Sequence, residues 1–201
     1  MSISRSSSGG NAAYIENRPL SAIYVHTRSL WKLYLQSLQR KPVLTKGITS
    51  GVLAGVSDLI AQSLDKSTRH YKISRTAKLV LYGFLISGPA GHYWQKIIES
   101  IFRGRKPSTT LAVEKVLVDQ AIYAPFINFV FFVFLGIAER RTPRQINSKI
   151  NKDLWRVLKM NWRVWPIVNL INYKFVPVEL RVLFCNIVSI FWATFLILAA
   201  R

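Results

Sequence analysis

Two runs of this sequence contain no charged residue, and they constrain the fold more than any other feature. They cover residues 121–138 and 182–200. A helix needs about 20 predominantly apolar residues to cross the hydrocarbon core of a bilayer, so both runs are long enough. Residues 47–64, with a single acid, and residues 79–95, with a single histidine, reach that length with helical flanks. None of the four runs alternates with a period of two, so the pattern indicates helices rather than strands.

The charged residues are concentrated between these runs. The chain has 28 Lys and Arg against 9 Asp and Glu, which gives a net charge of +19. Basic clusters that flank apolar runs are typical of the loops beside membrane spans. A nucleic-acid-binding domain would instead gather its basic residues on one face, next to side chains that stack on bases or read them. The chain is therefore predicted to bind a lipid bilayer and not nucleic acid, with a soluble protein of basic surface as the alternative.

A shorter apolar stretch precedes the last run. Residues 164–173 lie between Arg163 and Lys174 and are too few to cross a bilayer. We interpret them as a half-inserted or interfacial helix. The predicted fold is an all-α integral membrane bundle of about four transmembrane helices, plus an interfacial or re-entrant amphipathic helix before the last span. Four spans would place both termini on the same side of the membrane. Because the loops on both sides are basic, the positive-inside rule does not predict which side that is.

The first thirty residues differ from the rest of the chain. They are rich in Ser, Gly and Asn and contain no apolar core. Such a composition fits an organellar targeting segment as well as a disordered tail. We predict a flexible N-terminal extension over residues 1–30 and a single multi-span membrane domain over residues 31–201.

Small and polar residues form one stripe along the first span. Gly47, Gly51 and Gly55 are four residues apart, and Asp58 and Gln62 continue the stripe. Small residues on one face let helices approach closely in lipid, so the acid is expected to face neighbouring helices. An intramembrane carboxylate is costly unless it is paired or hydrated. Two interpretations stay open, a group that lines a polar cavity or pore and an interhelical bond that stabilises the bundle.

The third span begins with a second intramembrane acid. Asp119 follows Lys115 by four residues, and at this spacing a local ion pair with Lys115 would account for an acid inside the span. Gln120 comes next and adds a further polar side chain. Both are candidates for pore-lining or interhelical groups.

Helix-breaking residues occur inside the apolar runs. Pro89, Pro125 and Pro166 each lack an N–H and free the carbonyl four residues earlier. Prolines are tolerated in spans where neighbouring polar groups or water satisfy those carbonyls. Gly88 would allow close helix contact, and His92 would supply an interhelical bond or a pH-sensitive group.

No catalytic or metal-binding pattern is found in the sequence. The three histidines have no metal-ligand spacing, and no Gly-rich phosphate loop or nucleophile elbow occurs. The one cysteine, Cys185, excludes an internal disulfide. The sequence therefore predicts a protein that is not an enzyme and that holds no metal or cofactor.

Four stretches together resemble a known family, the 22-kDa peroxisomal membrane proteins, which includes the Mpv-seventeen and Sym-one proteins of the mitochondrial inner membrane. The stretches read "GVLAGVSDLIAQ", "GPAGHYW", "DQAIYAP" and "WRVWPIVNLINYKFVPVELR". Besides the polar candidates above, the family-motif residues are Gly88, Pro89, Trp94, Pro125, Trp162, Trp165, Pro166, Asn172, Pro177 and Arg181. Ser57, Gln95, Asn169 and Tyr173 depart from the residues usual in the family.

The resemblance implies a small four-span protein of an organelle membrane. Members are associated with channel-like permeability to small solutes or ions and with the metabolism of reactive oxygen species. The motifs look most like the plant peroxisomal branch, which favours the peroxisomal membrane, with the mitochondrial inner membrane and the chloroplast envelope as alternatives. The alternative function is a structural or partner-recruiting membrane protein that transports nothing. A homo-oligomer is compatible with either function.

Overall fold

Six helices make up the described part of the chain. The computed structural model describes the backbone of residues 18–64 and 70–199, and the side chains of residues 29–64 and 70–192. The helices are α1 (Arg18–Arg40), α2 (Pro42–Leu64), α3 (Ile73–Tyr82, Gly83–Ser87 and Gly88–Ile101), α4 (Thr109–Val118, Asp119–Tyr123 and Ala124–Ala138), α5 (Pro143–Phe175) and α6 (Arg181–Ala199). The described residues contain no strand, so the prediction of an all-α fold is confirmed.

The helices from α2 to α5 run up and down beside one another. The start of α2 lies against the middle of α3, where Gly47 is close to Gly88, and the end of α2 lies against the start of α3. The same antiparallel order relates α3 to α4 and α4 to α5, as the pairs Trp94–Asp119, Tyr82–Ile127, Asn169–Asp119 and Asn161–Asn128 show. After α5 the chain turns at residues 176–180, and α6 packs back against α2 through Asn186 and Ser50.

The bundle is polar inside and apolar outside. Among the described residues, thirteen polar or charged side chains are buried against twelve apolar ones. Large apolar side chains are exposed on every helix from α2 to α6, such as Val52, Leu85, Phe126, Ile167 and Phe191. A soluble domain has the opposite distribution, because water drives apolar side chains inward. An apolar outer surface is what hydrocarbon requires.

Two of the described helices are long and apolar enough to cross a bilayer. They are Pro42–Leu64 and Thr109–Ala138, and the part of α6 whose side chains are described, Arg181–Trp192, is a shorter apolar helix. Both α2 and α4 begin before the apolar runs that predicted them. The number of spans, four, stays a prediction.

The stretch predicted as a separate interfacial helix belongs to a longer element. Residues 164–173 form the last third of α5, a helix of 33 residues. The helix starts at a capping box, in which Thr142 accepts from the N–H of Gln145 and the Gln145 side chain accepts from the N–H of Thr142. Pro166 is accommodated inside this helix without interrupting it.

Two of the prolines follow a widened helical turn. Gly83–Ser87 precedes Pro89 and Asp119–Tyr123 precedes Pro125, and both segments are π-helical. A proline ring clashes with the carbonyl four residues earlier, and a π-helical turn relieves that clash by adding a residue. The two carbonyls that these prolines were expected to free, those of Leu85 and Ala121, lie within the π-helical segments. π-bulges are frequent at functional sites.

The N-terminal residues are only partly described. Residues 1–17 of the predicted extension lie outside the described residues, and residues 18–30 belong to α1. Among the described residues, those up to Gln36 form one unit and those from Ser37 onward form a second. The extent of a targeting segment stays a prediction.

Candidate functional site

A polar cavity lies among helices α3, α4, α5 and α6. It has a volume of about 290 Å³. Its walls carry amide, hydroxyl, carboxylate, guanidinium and thiol side chains beside aromatic rings: Ser87, Gln95, Asp119, Gln120, Tyr123, Asn128, Asn161, Trp165, Asn169, Arg181, Cys185, Asn186, Ser189 and Trp192. The small or apolar residues Gly91, Ala124, Ile127 and Val182 complete the lining. A cavity of this composition would hold water or a small polar solute inside a bundle whose outer surface is apolar.

The carboxylate of Asp119 joins three helices at one wall of the cavity. Its Oδ1 accepts hydrogen bonds from Trp94 Nε1 at 2.7 Å and from the Tyr173 hydroxyl at 3.0 Å. Its Oδ2 accepts from Asn169 Nδ2 at 2.7 Å and from Gln120 Nε2 at 2.9 Å. Asp119 is only 5% exposed. Four neutral donors therefore replace the hydration that the buried carboxylate has lost.

The predicted ion pair between Asp119 and Lys115 is wrong. The Nζ of Lys115 instead lies 2.7 Å from Glu99 Oε1 on α3. The two residues are near neighbours in sequence, but both face other helices, so each finds its partner across a helix interface rather than along its own helix.

The Asp119 carboxylate also orients the side chain of Gln120. Because Gln120 donates its Nε2 to Asp119, its Oε1 must point elsewhere, and this oxygen is buried without a partner among the described residues. The backbone carbonyl of Gln120 accepts from Trp162 Nε1 at 3.3 Å. The sequence placed Asp119 and Gln120 among the pore or interhelical candidates, and the structure places both at the cavity.

The stripe on α2 lies in a different place. Gly51, Gly55, Asp58 and Gln62 are all buried, as their common face predicts, but they face α3 and do not line the cavity. An added Cβ on Gly51 would meet the Val80 carbonyl oxygen at 3.0 Å. The stripe is therefore the surface along which α2 and α3 approach closely.

Asp58 is paired across this interface. Its Oδ2 accepts from the Thr76 hydroxyl and from Gln62 Nε2, both at 2.7 Å. The Arg75 Nε lies 2.9 Å from its Oδ1, close enough for an ion pair although not aligned for a hydrogen bond. Gln62 in turn accepts from the backbone N–H of Lys72 at 2.6 Å. Of the two interpretations of Asp58, these contacts favour the interhelical bond.

Replacing Asp58 by asparagine is expected to lower the free energy of unfolding by about 1–3 kcal/mol, because bonds to a charged acceptor are lost at a buried site. Denaturation in mixed micelles measures the loss. Arg75→Gln should cost less, since the Arg75 side chain is 54% exposed. If Asp58→Asn altered solute flux without changing the free energy of unfolding, the result would instead support a pore-lining role for Asp58.

His92 lies apart from both clusters. It is buried, and its Nδ1 has no partner among the described residues. Its ring contacts the Tyr93 ring edge to face, with centroids 5.3 Å apart. His92 is not part of the cavity lining, so its assignment as a pore or interhelical group stays a prediction.

Several family-motif residues support the cavity wall. Trp94 stacks on Tyr123 with centroids 5.0 Å apart while it donates to Asp119. Trp165 lines the cavity, and Asn172 donates to the sulfur of Cys185 at 3.3 Å. The carbonyl of Pro177 accepts a hydrogen bond from the N–H of Leu180 in the turn before α6.

A third polar cluster lies at the end of α3, beyond the predicted span. One oxygen of Glu99 accepts from both Lys115 and Arg181, and Arg181 also donates to Gln95 and to the Val176 carbonyl. Burial would raise the pKa of the Glu99 carboxyl, but the hydrogen bonds from the two cations outweigh it and hold that pKa below its ordinary value. The cluster therefore adds stability at neutral pH that is lost as the pH falls and Glu99 is protonated.

Sequence reasoning named Trp165, Asn169 and Asn172 only as positions of the family motif, not as lining groups, and it did not name Asn161. Asn161, Trp165, Asn169 and Asn172 recur every three or four residues on α5, which is the spacing of one helix face. This polar periodicity could have been found, but the high charge of the first half of α5 obscured it. No sequence pattern pointed to Glu99 as a site residue, because its partners Lys115 and Arg181 are far away in the sequence.

The described residues contain no group of three or more His, Cys, Asp or Glu side chains that could hold a metal ion.

Comparison with known proteins identifies relatives over most of the chain. Residues 136–197 match the Mpv17 / PMP22 family. The chain is 38% identical to "PXMP2/4 family protein 3" of Dictyostelium discoideum, over 92% of this chain and 96% of that protein. It is 36% identical to "Peroxisomal membrane protein PMP22" of Arabidopsis thaliana, over 84% of this chain and 88% of that protein. It is 32% identical to "Peroxisomal membrane protein 2" of Bos taurus, over 81% of this chain and 85% of that protein. No solved structure matches.

Proposed function

We propose that this chain, which belongs to the Mpv17 / PMP22 family of membrane proteins, is a channel-like protein that lets small polar solutes cross an organelle membrane. The observation that carries this proposal is the polar cavity of about 290 Å³ among helices α3, α4, α5 and α6. A structural bundle gains nothing from such a space, because unfilled polar surface inside a membrane protein is costly.

The cavity walls indicate what kind of solute would be accepted. The nitrogen of Gln120 is used by Asp119, and that of Asn161 donates to the Asn128 side chain at 3.4 Å. The side-chain oxygens of Gln120 and Asn161 are therefore left to accept hydrogen bonds. The Ser189 hydroxyl donates to the backbone carbonyl of Cys185, so its oxygen can accept a bond as well. A neutral solute with hydroxyl or N–H donors complements these groups. The Asp119 carboxylate, already bonded by four donors, orients Gln120 and Asn169 and does not itself bind an ion.

The names of the relatives suggest which organelle membrane holds this chain. Two of them carry the words peroxisomal membrane protein in their names, so we place this chain in the peroxisomal membrane. The mitochondrial inner membrane and the chloroplast envelope are the other outcomes of a localisation experiment with tagged full-length protein. The plant branch, the link to reactive oxygen species and a homo-oligomer stay predictions. The relatives are named as membrane proteins and not as enzymes, in keeping with a role without catalysis.

Cysteine substitution tests the pathway directly. The chain has one cysteine, Cys185, so Cys185→Ser supplies a background free of thiols. In that background Ser189→Cys places a thiol in the cavity wall, and Ile187→Cys places one on the exposed outer face of the same helix. Proteoliposomes that contain the purified protein are expected to release a trapped small polyol. A charged thiosulfonate reagent should remove most of the flux through Ser189→Cys, because the attached group fills the cavity.

The two variants differ in the position of one thiol, which makes Ile187→Cys a matched control. Its flux should be unchanged by the reagent, since lipid shields the outer face from a charged molecule. Folded protein that releases no polyol would contradict the proposal and favour the structural or partner-recruiting role. The same conclusion would follow if Ser189→Cys were labelled without any change in flux.

A further inference from the structure

A second pocket lies at the end of the bundle where α3 ends, α4 begins and α5 turns into α6. It has a volume of about 690 Å³. Its lining includes five basic side chains, Arg103, Arg105, Lys115, Lys174 and Arg181, and one acidic side chain, Glu99. Glu114 lies outside the lining and pairs with Arg105. With both acids counted, the pocket retains a net charge of +3. The excess positive charge is large for a single pocket.

Two of these cations are buried at the floor of the pocket. Lys115 is 7% exposed and Arg181 is 6% exposed. Both pair with the same oxygen of Glu99, the one carboxylate that is paired with either cation in the described part of the chain. A single carboxylate neutralises one of the two charges. A buried cation without a counter-charge is unfavourable, so the floor is built to receive an anion.

The other lining groups suit the same ligand. Arg103 and Lys174 are exposed at the mouth. The first turn of α4 begins at this pocket with the Ser108 cap, and the N-terminal end of a helix attracts negative charge. Phe102 and Phe175 add apolar surface next to the cations, and Phe175 is 70% exposed. Basic groups next to exposed apolar surface match a charged head group above hydrocarbon.

We propose that this pocket binds a phosphate group, carried either by an anionic membrane lipid or by a soluble phosphate compound. The Arg181 guanidinium and the Lys115 ammonium hold the phosphate at the floor, and Arg103 and Lys174 attract it at the mouth. Arginine is suited to this role because its planar donors match phosphate oxygens in pairs. The site is separate from the polar cavity, although Arg181 borders both. It does not depend on whether the cavity conducts solutes.

Binding is tested with purified full-length protein in detergent micelles. Phosphatidic acid is compared with phosphatidylcholine of the same acyl chains by native mass spectrometry, and inorganic phosphate is titrated by calorimetry. The double variant Arg103→Gln/Lys174→Gln should weaken binding about tenfold to thirtyfold, since two basic groups near the membrane surface are lost. The variant Glu99→Gln should bind more tightly than the wild type, because both floor cations are then left to the phosphate. A gain in affinity cannot result from misfolding.

A surface cluster at the opposite end of the bundle supplies the matched control. Arg144→Gln/Lys152→Gln removes the same charge from exposed positions on α5 and should leave binding nearly unchanged. Retention of phosphatidic acid that millimolar phosphate does not displace would identify a lipid head group. Binding of inorganic phosphate without retention of the lipid would identify a soluble phosphate compound. If neither probe binds, or if the control double variant weakens binding as much, the proposal is overturned.

Discussion

Replacing Asp119 by alanine is expected to lower the free energy of unfolding by about 2–5 kcal/mol, because several buried donors lose their acceptor at once. Trp94, Gln120, Asn169 and Tyr173 all donate to this carboxylate, and they come from three different helices. Water in the adjoining cavity can reach some of these donors, which limits the loss. Equilibrium unfolding in mixed micelles, monitored by circular dichroism, measures the change.

The asparagine variant separates charge from shape at the same position. Asp119→Asn keeps the size of the side chain, but its NH₂ group must face two donors, so this variant should also be clearly destabilised. Asp153→Asn is the matched control, because the partly exposed Asp153 pairs with the exposed Lys149, one turn away on α5. Its cost should stay below about 1 kcal/mol. Equal stabilities of Asp119→Asn and Asp153→Asn would show that the network does not hold the helices together.

Replacing Gly88 by alanine is expected to destabilise the bundle by about 1–3 kcal/mol through overpacking between α2 and α3. An added Cβ would meet the Gly47 Cα and the Lys46 carbonyl oxygen, each at 2.6 Å. Both atoms belong to the backbone, so the helices must separate and loosen the neighbouring contacts. Thermal unfolding of the purified protein in detergent measures the effect.

Gly91→Ala is the control for the Gly88 variant. Both glycines lie in the same helical segment, so both substitutions gain the same helix propensity. The nearest atom to a Cβ on Gly91 is Val182 Cγ2 at 3.3 Å, and a side chain can give way by a few tenths of an ångström. Gly91→Ala should therefore be neutral or slightly stabilising. A Gly88→Ala protein as stable as Gly91→Ala would mean that close approach of α2 and α3 is not required.

The sequence pattern and the structure agree on features that neighbouring residues determine, such as helix position and helix face. The apolar runs at residues 47–64 and 121–138 lie inside α2 and α4, because long apolar runs without alternation are compatible only with helices in a bilayer. The stripe that contains Gly51 and Asp58 faces a neighbouring helix, as its spacing requires. Pro89 and Pro125 disturb the helix where their missing N–H predicts, at π-helical turns.

The partners of the polar residues could not be predicted in the same way. Local spacing suggested that Lys115 would pair with Asp119, yet Lys115 pairs with Glu99, and three of the four donors to Asp119 lie 25 to 54 positions away. Asp58 and Asp119 were both candidates for pore-lining or interhelical groups, but only Asp119 lies at the cavity. These outcomes depend on which helix faces are brought together.

The sequence by itself determined that this chain is helical, that its outer surface is apolar and to which family it belongs, because these properties follow from hydropathy, spacing and motif. Only the tertiary structure decided where the cavity lies, which acid organises it and that two buried cations share one carboxylate. The physical reason is that a membrane interior has almost no water to satisfy polar groups, so each must find a partner on another helix. Such pairings between distant parts of the chain exist only after the helices have packed.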